Sequence, residues 1–264
     1  MGFYNNAGGL VQTLTRIELI QEIKLRLDRG QTNLNDIDVS NVTDMSFLFQ
    51  LFRKYDLSKL DISLWDVSNV TDMRCMFLHC TRFNSDLSKW NVSNVKNMSH
   101  MFYNCKVFNS DLSRWDVSNV TNMAHMFHDC SSFNSDLSKW NVSKVENMSS
   151  MFSSCRIFNS DLSEWNTSRV RRMDYMFLNC TSFNSDLSKW GVSNVVNMRN
   201  MFLNCHSFNS DLSKWDVSNV DDMENMFAYC ENFVQDLSGW DASNARFKYG
   251  AFDGSGIKKL PGGF

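Results

Sequence analysis

The chain lacks a basic run and lacks an excess of either charge. Lys and Arg number 26 against 29 Asp and Glu, a formal net charge of −3 with a pI near 5.9. Such a balance sets up no long-range field, so neither nucleic acid nor an anionic membrane surface is expected as a partner. Long apolar stretches are missing too. None approaches the roughly 20 residues that a bilayer-spanning helix needs, and no membrane insertion is expected. The opening Met1-Gly2-Phe3-Tyr4-Asn5-Asn6 has neither a charged n-region nor an apolar h-region, so no signal peptide is expected. Gly2 does not read as a myristoylation signal, because Asn6 stands where Ser or Thr is required.

Motifs of catalysis are also wanting. No GxGxxG, P-loop or CxxC occurs, and no Ser/His/Asp or Cys/His set falls in a strand-turn-helix context. The five histidines (His79, His100, His125, His128 and His206) occupy unequal positions that vary among repeats, and are expected at the surface. The reading is therefore a protein without enzymatic activity, without catalytic or metal-ligating residues, and without a cofactor.

What the chain has is periodicity. Its eight tryptophans are Trp65, Trp90, Trp115, Trp140, Trp165, Trp190, Trp215 and Trp240, one at every twenty-fifth position. Self-similarity at such a period marks an array of stacked units, none able to bury its apolar residues alone. One unit reads Phe83-Asn84-Ser85-Asp86-Leu87-Ser88-Lys89-Trp90, followed by Val92, Val95, Met98, Met101, Phe102 and Cys105. From Trp65 to Trp240 there is no insertion or deletion. The first copy is longer, its extra residues falling between Gln50 and Ile62, where a bulged loop is expected. Seven cysteines, Cys80, Cys105, Cys130, Cys155, Cys180, Cys205 and Cys230, share one repeat position, with Cys75 apart. That regularity reads as a buried, reduced ladder rather than a disulfide framework.

Three regions separate. Residues 1–35 precede the repeat and read as an amino-terminal helical cap. Thr15-Arg16-Ile17-Glu18 matches a capping box, Ile17, Ile20, Ile23 and Leu27 follow at near-helical spacing, and Gly30 supplies a stop. Residues 36–245 hold about eight copies of the repeat. Residues 246–264, which include the one proline, Pro261, read as a carboxy-terminal cap and tail.

Within a copy, Met98, Met101, Phe102 and Cys105 fall at i, i+3, i+4, i+7, which predicts a short amphipathic helix. Asn or Asp precedes the first Met in most copies (Asp44, Asp72, Asn97, Asn122, Asn147, Asn197 and Asp222) and reads as its N-cap, with Arg172 the exception. A short strand is expected within Asp86 to Trp90. Leu87 and Trp90 have opposite parity, so burying both requires the chain to turn a corner between them.

The wording Trp-Asp-Val-Ser-Asn-Val-Thr-Asn-Met…Met-Phe…Cys…Phe-Asn…Asp-Leu-Ser, from Trp115 to Ser138, resembles the BspA-like leucine-rich-repeat surface proteins. More narrowly it is similar to the 25-residue repeat of mycoplasma lipoproteins and related bacterial, protist and large-virus proteins of unknown function. The resemblance spans about residues 36–245. It implies an α/β repeat: a right-handed leucine-rich-repeat-like solenoid with one short strand and one short helix per copy. It also implies surface display and adhesion at the cell surface, although this chain lacks the signal or lipobox that many members carry.

Two ladders are the candidate binding residues. The carboxylates Asp86, Asp111 and Asp136, continued by Asp161, Asp186, Asp211 and Asp236, would repel at solenoid spacing unless each accepts hydrogen bonds or shares a cation. Bonding to turn amides is the expected role, with calcium as the alternative. Beside the tryptophans run Lys89, Arg114, Lys139, Lys189 and Lys214, interrupted by Glu164 and Gly239. Cations alternating with aromatics suit an acidic protein surface or a sugar. The expected function is a non-enzymatic interaction or adhesion surface for a protein partner. The alternatives are a structural component of a larger assembly and a calcium-dependent carbohydrate-binding module.

Overall fold

The computed structural model describes residues 3–4, 10–11, 14–262 and 264. Gly2 and Asn6 lie outside the described residues. The regular elements are few. Strand β1 (Phe3–Tyr4) pairs antiparallel with β2 (Leu10–Val11), helix α1 spans Arg16–Asp28, and a short 3-10 helix covers Gln50–Phe52. Helix α1 starts with the capping box: Thr15 Oγ1 accepts from the Glu18 amide at 3.3 Å, and Glu18 accepts from the Thr15 amide at 2.7 Å. Its buried stripe is Leu19, Ile23 and Leu27, while Ile17 is 68% exposed. Gly30 follows with φ 71°, a conformation that costs glycine little, and its amide closes the helix on the Leu27 carbonyl. The extra length of the first copy holds the 3-10 helix and a turn that brings the Tyr55 hydroxyl to Asp28 at 2.5 Å.

The α/β repeat with a strand and a helix in each copy is overturned. Among the described residues no copy contains a strand or an α-helix; each is a coil of turns joined to its neighbour by one isolated parallel bridge, such as Asn97 to Asn122. The helix fails because the backbone turns left-handed twice along the segment. His100 and Asn104 have φ of 57° and 59°, and the equivalent residues of other copies repeat this. A left-handed residue breaks the i→i−4 ladder, so alternate amides divide their work. Met101, Tyr103 and Cys105 donate within the copy to Met98, His100 and Phe102, whereas Met98, His100, Phe102 and Asn104 donate to Asn122, Ala124, Met126 and His128 of the next. The residues read as N-caps are Asx turns instead: the Asn97 side chain accepts from the Ser99 amide at 3.0 Å and Asp72 from the Arg74 amide at 3.0 Å.

This turn strip yields a sharp expectation. Ser150 sits at φ 54°, where a side chain is strained. Ser150→Gly is expected to raise stability by up to about 1 kcal/mol, whereas the same change inside a helix costs about that much. Urea unfolding separates the two by sign.

The strand fails for a different reason. Between Phe83 and Trp90 no backbone ladder joins the copies, because side chains do that work. Asn84 Oδ1 accepts from the Asn109 amide of the next copy at 2.9 Å, and Ser110 Oγ accepts from the Leu87 amide of the preceding one at 2.8 Å. The same pair of bonds recurs along the stack. Between Leu87 and Trp90 the chain turns, with the Trp90 amide on the Leu87 carbonyl at 3.1 Å, and both side chains are buried.

The core lies inside the coils as columns of like residues. Phe102 and Phe127 stack at 5.6 Å, Phe108 and Phe133 at 6.1 Å, and Trp115 and Trp140 at 6.4 Å with ring planes 2° apart. Each indole N–H reaches back to a backbone carbonyl, Trp90 to Ile62 and the others to a Leu, as Trp115 to Leu87 at 3.0 Å. All eight cysteines are free thiols, and all but Cys75 are buried. Cys130 Sγ meets the Phe102 carbonyl at 2.9 Å, and burial pushes the Cys80 and Cys230 thiols up to about 12, which leaves them inert toward oxidation chemistry that needs a thiolate.

Candidate interaction face

The corner that buries Leu87 and Trp90 also sets what lies between them. Ser88 and Lys89 are turned outward, and Asp86 precedes the corner on the same side. Lys89, Arg114, Lys139, Lys189 and Lys214 are all exposed, as are Asp86, Asp111 and Asp136. Stacking therefore gathers both ladders onto one long face, over the rim of the tryptophan column. Each carboxylate has a local task. Asp86 accepts from the Ser88 amide, Asp111 from Ser113 and Asp136 from Ser138, all at 2.9 Å. Those amide bonds hold the Asp86 and Asp111 carboxyls below the usual range, with the serine hydroxyls adding to the effect.

The cations are less committed. Lys189 pairs with Glu164 at 2.5 Å, but Lys89, Arg114, Lys139 and Lys214 form no ion pair among the described residues. A depression of about 840 Å³ opens where Lys189 and Lys214 flank Asp186, Asp211, Asn184 and Asn209. Among the described residues, no group of three or more His, Cys, Asp or Glu side chains is arranged to hold a metal ion. No helix there is long and apolar enough to cross a membrane.

Sequence reasoning passed over a second face, the turn strip. Along one of its columns the copies differ: Ser99, Ala124, Ser149 and Asp174 are buried, whereas Arg199 and Glu224, which pair with each other, are partly exposed. The histidines are corrected here. His79 and His206 are exposed, but His100, His125 and His128 are half-buried and stacked into a cluster. His100 and His125 rings lie 4.4 Å apart, and Tyr103 lies 4.4 Å from His128. The 25-residue offset between His100 and His125, and between Tyr103 and His128, was the available signal.

Desolvation, reinforced by the charges His100 and His128 would carry, pushes His125 down to about 4, against a smaller opposing pull from Asp174. His100 and His128 are also lowered, chiefly by burial. A histidine whose folded value lies below its unfolded 6.5 takes up its proton more readily in the unfolded chain. The cluster's stability is therefore complete above pH 6.5 and is lost as the pH falls through about 4. A His125→Gln variant should flatten that part of a melting-temperature-against-pH curve; an unchanged slope would count against the cluster as its cause.

No curated protein matches the chain. A family profile does, over residues 20–127, 93–190 and 158–259. Its overlapping segments cover the stacked copies and most of α1, and its description carries no leucine-rich-repeat or BspA-like assignment. By this match the chain belongs to the repeat family described as Mycoplasma protein of unknown function, DUF285.

Proposed function

We propose that the protein is a non-enzymatic interaction module, and that the face bearing Lys89, Arg114, Lys139, Lys189 and Lys214 binds an acidic surface of a protein partner in adhesion. The observation that carries this reading is a row of outward cations, four of them without an ion-pair partner among the described residues, on a rigid backing of buried tryptophans. Cations without an ion-pair partner have no existing pair to break when they meet a matching array of carboxylates. Family membership supports a repeat protein and is silent on partner.

A second reading has its own observation. The depression between Asp186 and Asp211 offers amide, carboxylate and ammonium groups together, a donor and acceptor mix that suits a sugar.

The test replaces Lys89, Arg114, Lys139 and Lys214 with Glu and applies wild type and variant to protein and glycan arrays. All four are exposed, so the fold should be unaffected. Protein hits that weaken at least tenfold in the variant are expected. Glycan hits alone would replace this reading with the second, and protein hits unchanged by the four substitutions would move binding off this face.

A further inference from the structure

Peptide units of the turn strip line up head to tail along the stack. The Asn122 carbonyl accepts from Met98, and the N–H of that same peptide unit, on Met123, donates to Asn147. The units Ala124–His125, Met126–Phe127 and His128–Asp129 do likewise. Four parallel rows of aligned peptide dipoles result, the arrangement that in an α-helix leaves about half a unit charge at each end. In these four rows the forward edge is N–H and the backward edge C=O; one row beside them, in which Thr121 donates back to Lys96, runs the other way, and with four rows against one the two ends of the stack are unlike.

At the amino-terminal end the carbonyl edge is closed by a cation. Arg16, the first residue of α1, donates to the Ser46 carbonyl and lies 3.7 Å from Asp44. The carboxy-terminal end has no such closure: the amides of Gly250, Phe252 and Gly254 meet no acceptor among the described residues. Two further observations point the same way. A cavity of about 290 Å³ opens at Gly250 and Phe252, walled by Ala251, Phe252, Leu260 and Phe264. Residues 246–264 carry four cations (Arg246, Lys248, Lys258 and Lys259) against one carboxylate, Asp253; Arg246 is paired with Asp221, while Lys258 and Lys259 form no ion pair among the described residues.

We propose that the carboxy-terminal end of the stack is a docking site for an acidic peptide segment. Its carboxylate accepts from the Gly250, Phe252 and Gly254 amides, and a neighbouring apolar side chain fills the cavity between Phe252, Leu260 and Phe264. A second copy of this chain does not suit the site, since the carbonyl edge that would complement it lies under α1. A bare phosphate leaves the apolar cavity empty. The site is distinct from the lysine face and stands or falls separately.

The test is an NMR titration of the full chain with acetylated, amidated Glu-Glu-Leu-Phe, alongside its Gln-Gln-Leu-Phe counterpart and inorganic phosphate alone. The acidic peptide is expected to shift the Gly250, Phe252 and Gly254 amide resonances and the Gln peptide to leave them in place. A variant with Lys258→Glu and Lys259→Glu, both exposed, should bind at least tenfold more weakly. Asp253→Asn removes the one carboxylate in the lining and should bind several-fold more tightly. Equal shifts with the Gln peptide, stationary amides, or phosphate acting at the same concentration as the peptide would each overturn the proposal.

Discussion

Phe127→Ala is expected to destabilise the protein by about 4 kcal/mol, the largest effect of any single truncation proposed here. Phe127 is fully buried and sits at a junction of columns. Its ring lies 3.9 Å from Phe133, which opens the following copy, and 5.6 and 5.8 Å from Phe102 and Phe152 of the copies on either side. Removing it leaves a void that three layers border and none can close, because each layer is fixed by its own bonds to the next. In a stack the interface between neighbours supplies the stability that a single coil lacks, so the loss falls on two interfaces at once. The equivalent change at Phe252, partly buried in the segment that follows the last copy, should cost roughly half as much. Urea midpoints measure both; a Phe127→Ala loss below about 1 kcal/mol would remove the ring columns as the source of cohesion.

Ser135→Ala should cost about 2 kcal/mol, a large effect for the loss of one oxygen. Ser135 is 7% exposed, and its hydroxyl is the acceptor for the Leu112 amide at 2.9 Å. Nothing else in that segment joins the two copies through the Leu112 amide, so the substitution strands a buried donor. Ser138→Ala is the control, because the Ser138 amide rather than its hydroxyl is bonded to Asp136. Amide hydrogen exchange should show Leu112 losing protection in the first variant and keeping it in the second. Equal protection in both would sink the view that side chains replace a strand there.

The columns of the core were readable from the period alone. Phe83, Leu87, Trp90, Met98, Phe102 and Cys105 are all buried, and the Thr15 capping box stands where the sequence put it. The helix was misread because apolar spacing of i, i+3, i+4, i+7 suits a run of turns as well as a helix. The signal that distinguishes them lay in Asn104, Asp129, Ser154, Asn179 and Asn204, a column dominated by residues that tolerate a left-handed backbone. The strand expected within Asp86 to Trp90 is absent because the Asn84 and Ser85 side chains, just before it, carry the bonds that a sheet carries in its backbone. Of the lysine face, the exposure of its cations and the turn-amide bond of Asp86 were legible. The pairing of Lys189 with Glu164, which sets that lysine apart from its neighbours, depends on contact between copies and appears only in three dimensions.

Copies meet through the same few bonds at nearly every junction: an Asn carbonyl on an amide, a Ser hydroxyl on an amide, and the four rows of the strip. A crossover between any two copies in the encoding DNA would therefore splice one layer out, or duplicate one, and leave each remaining junction chemically intact. The molecule can change its reach in whole layers while both of its ends stay as they are.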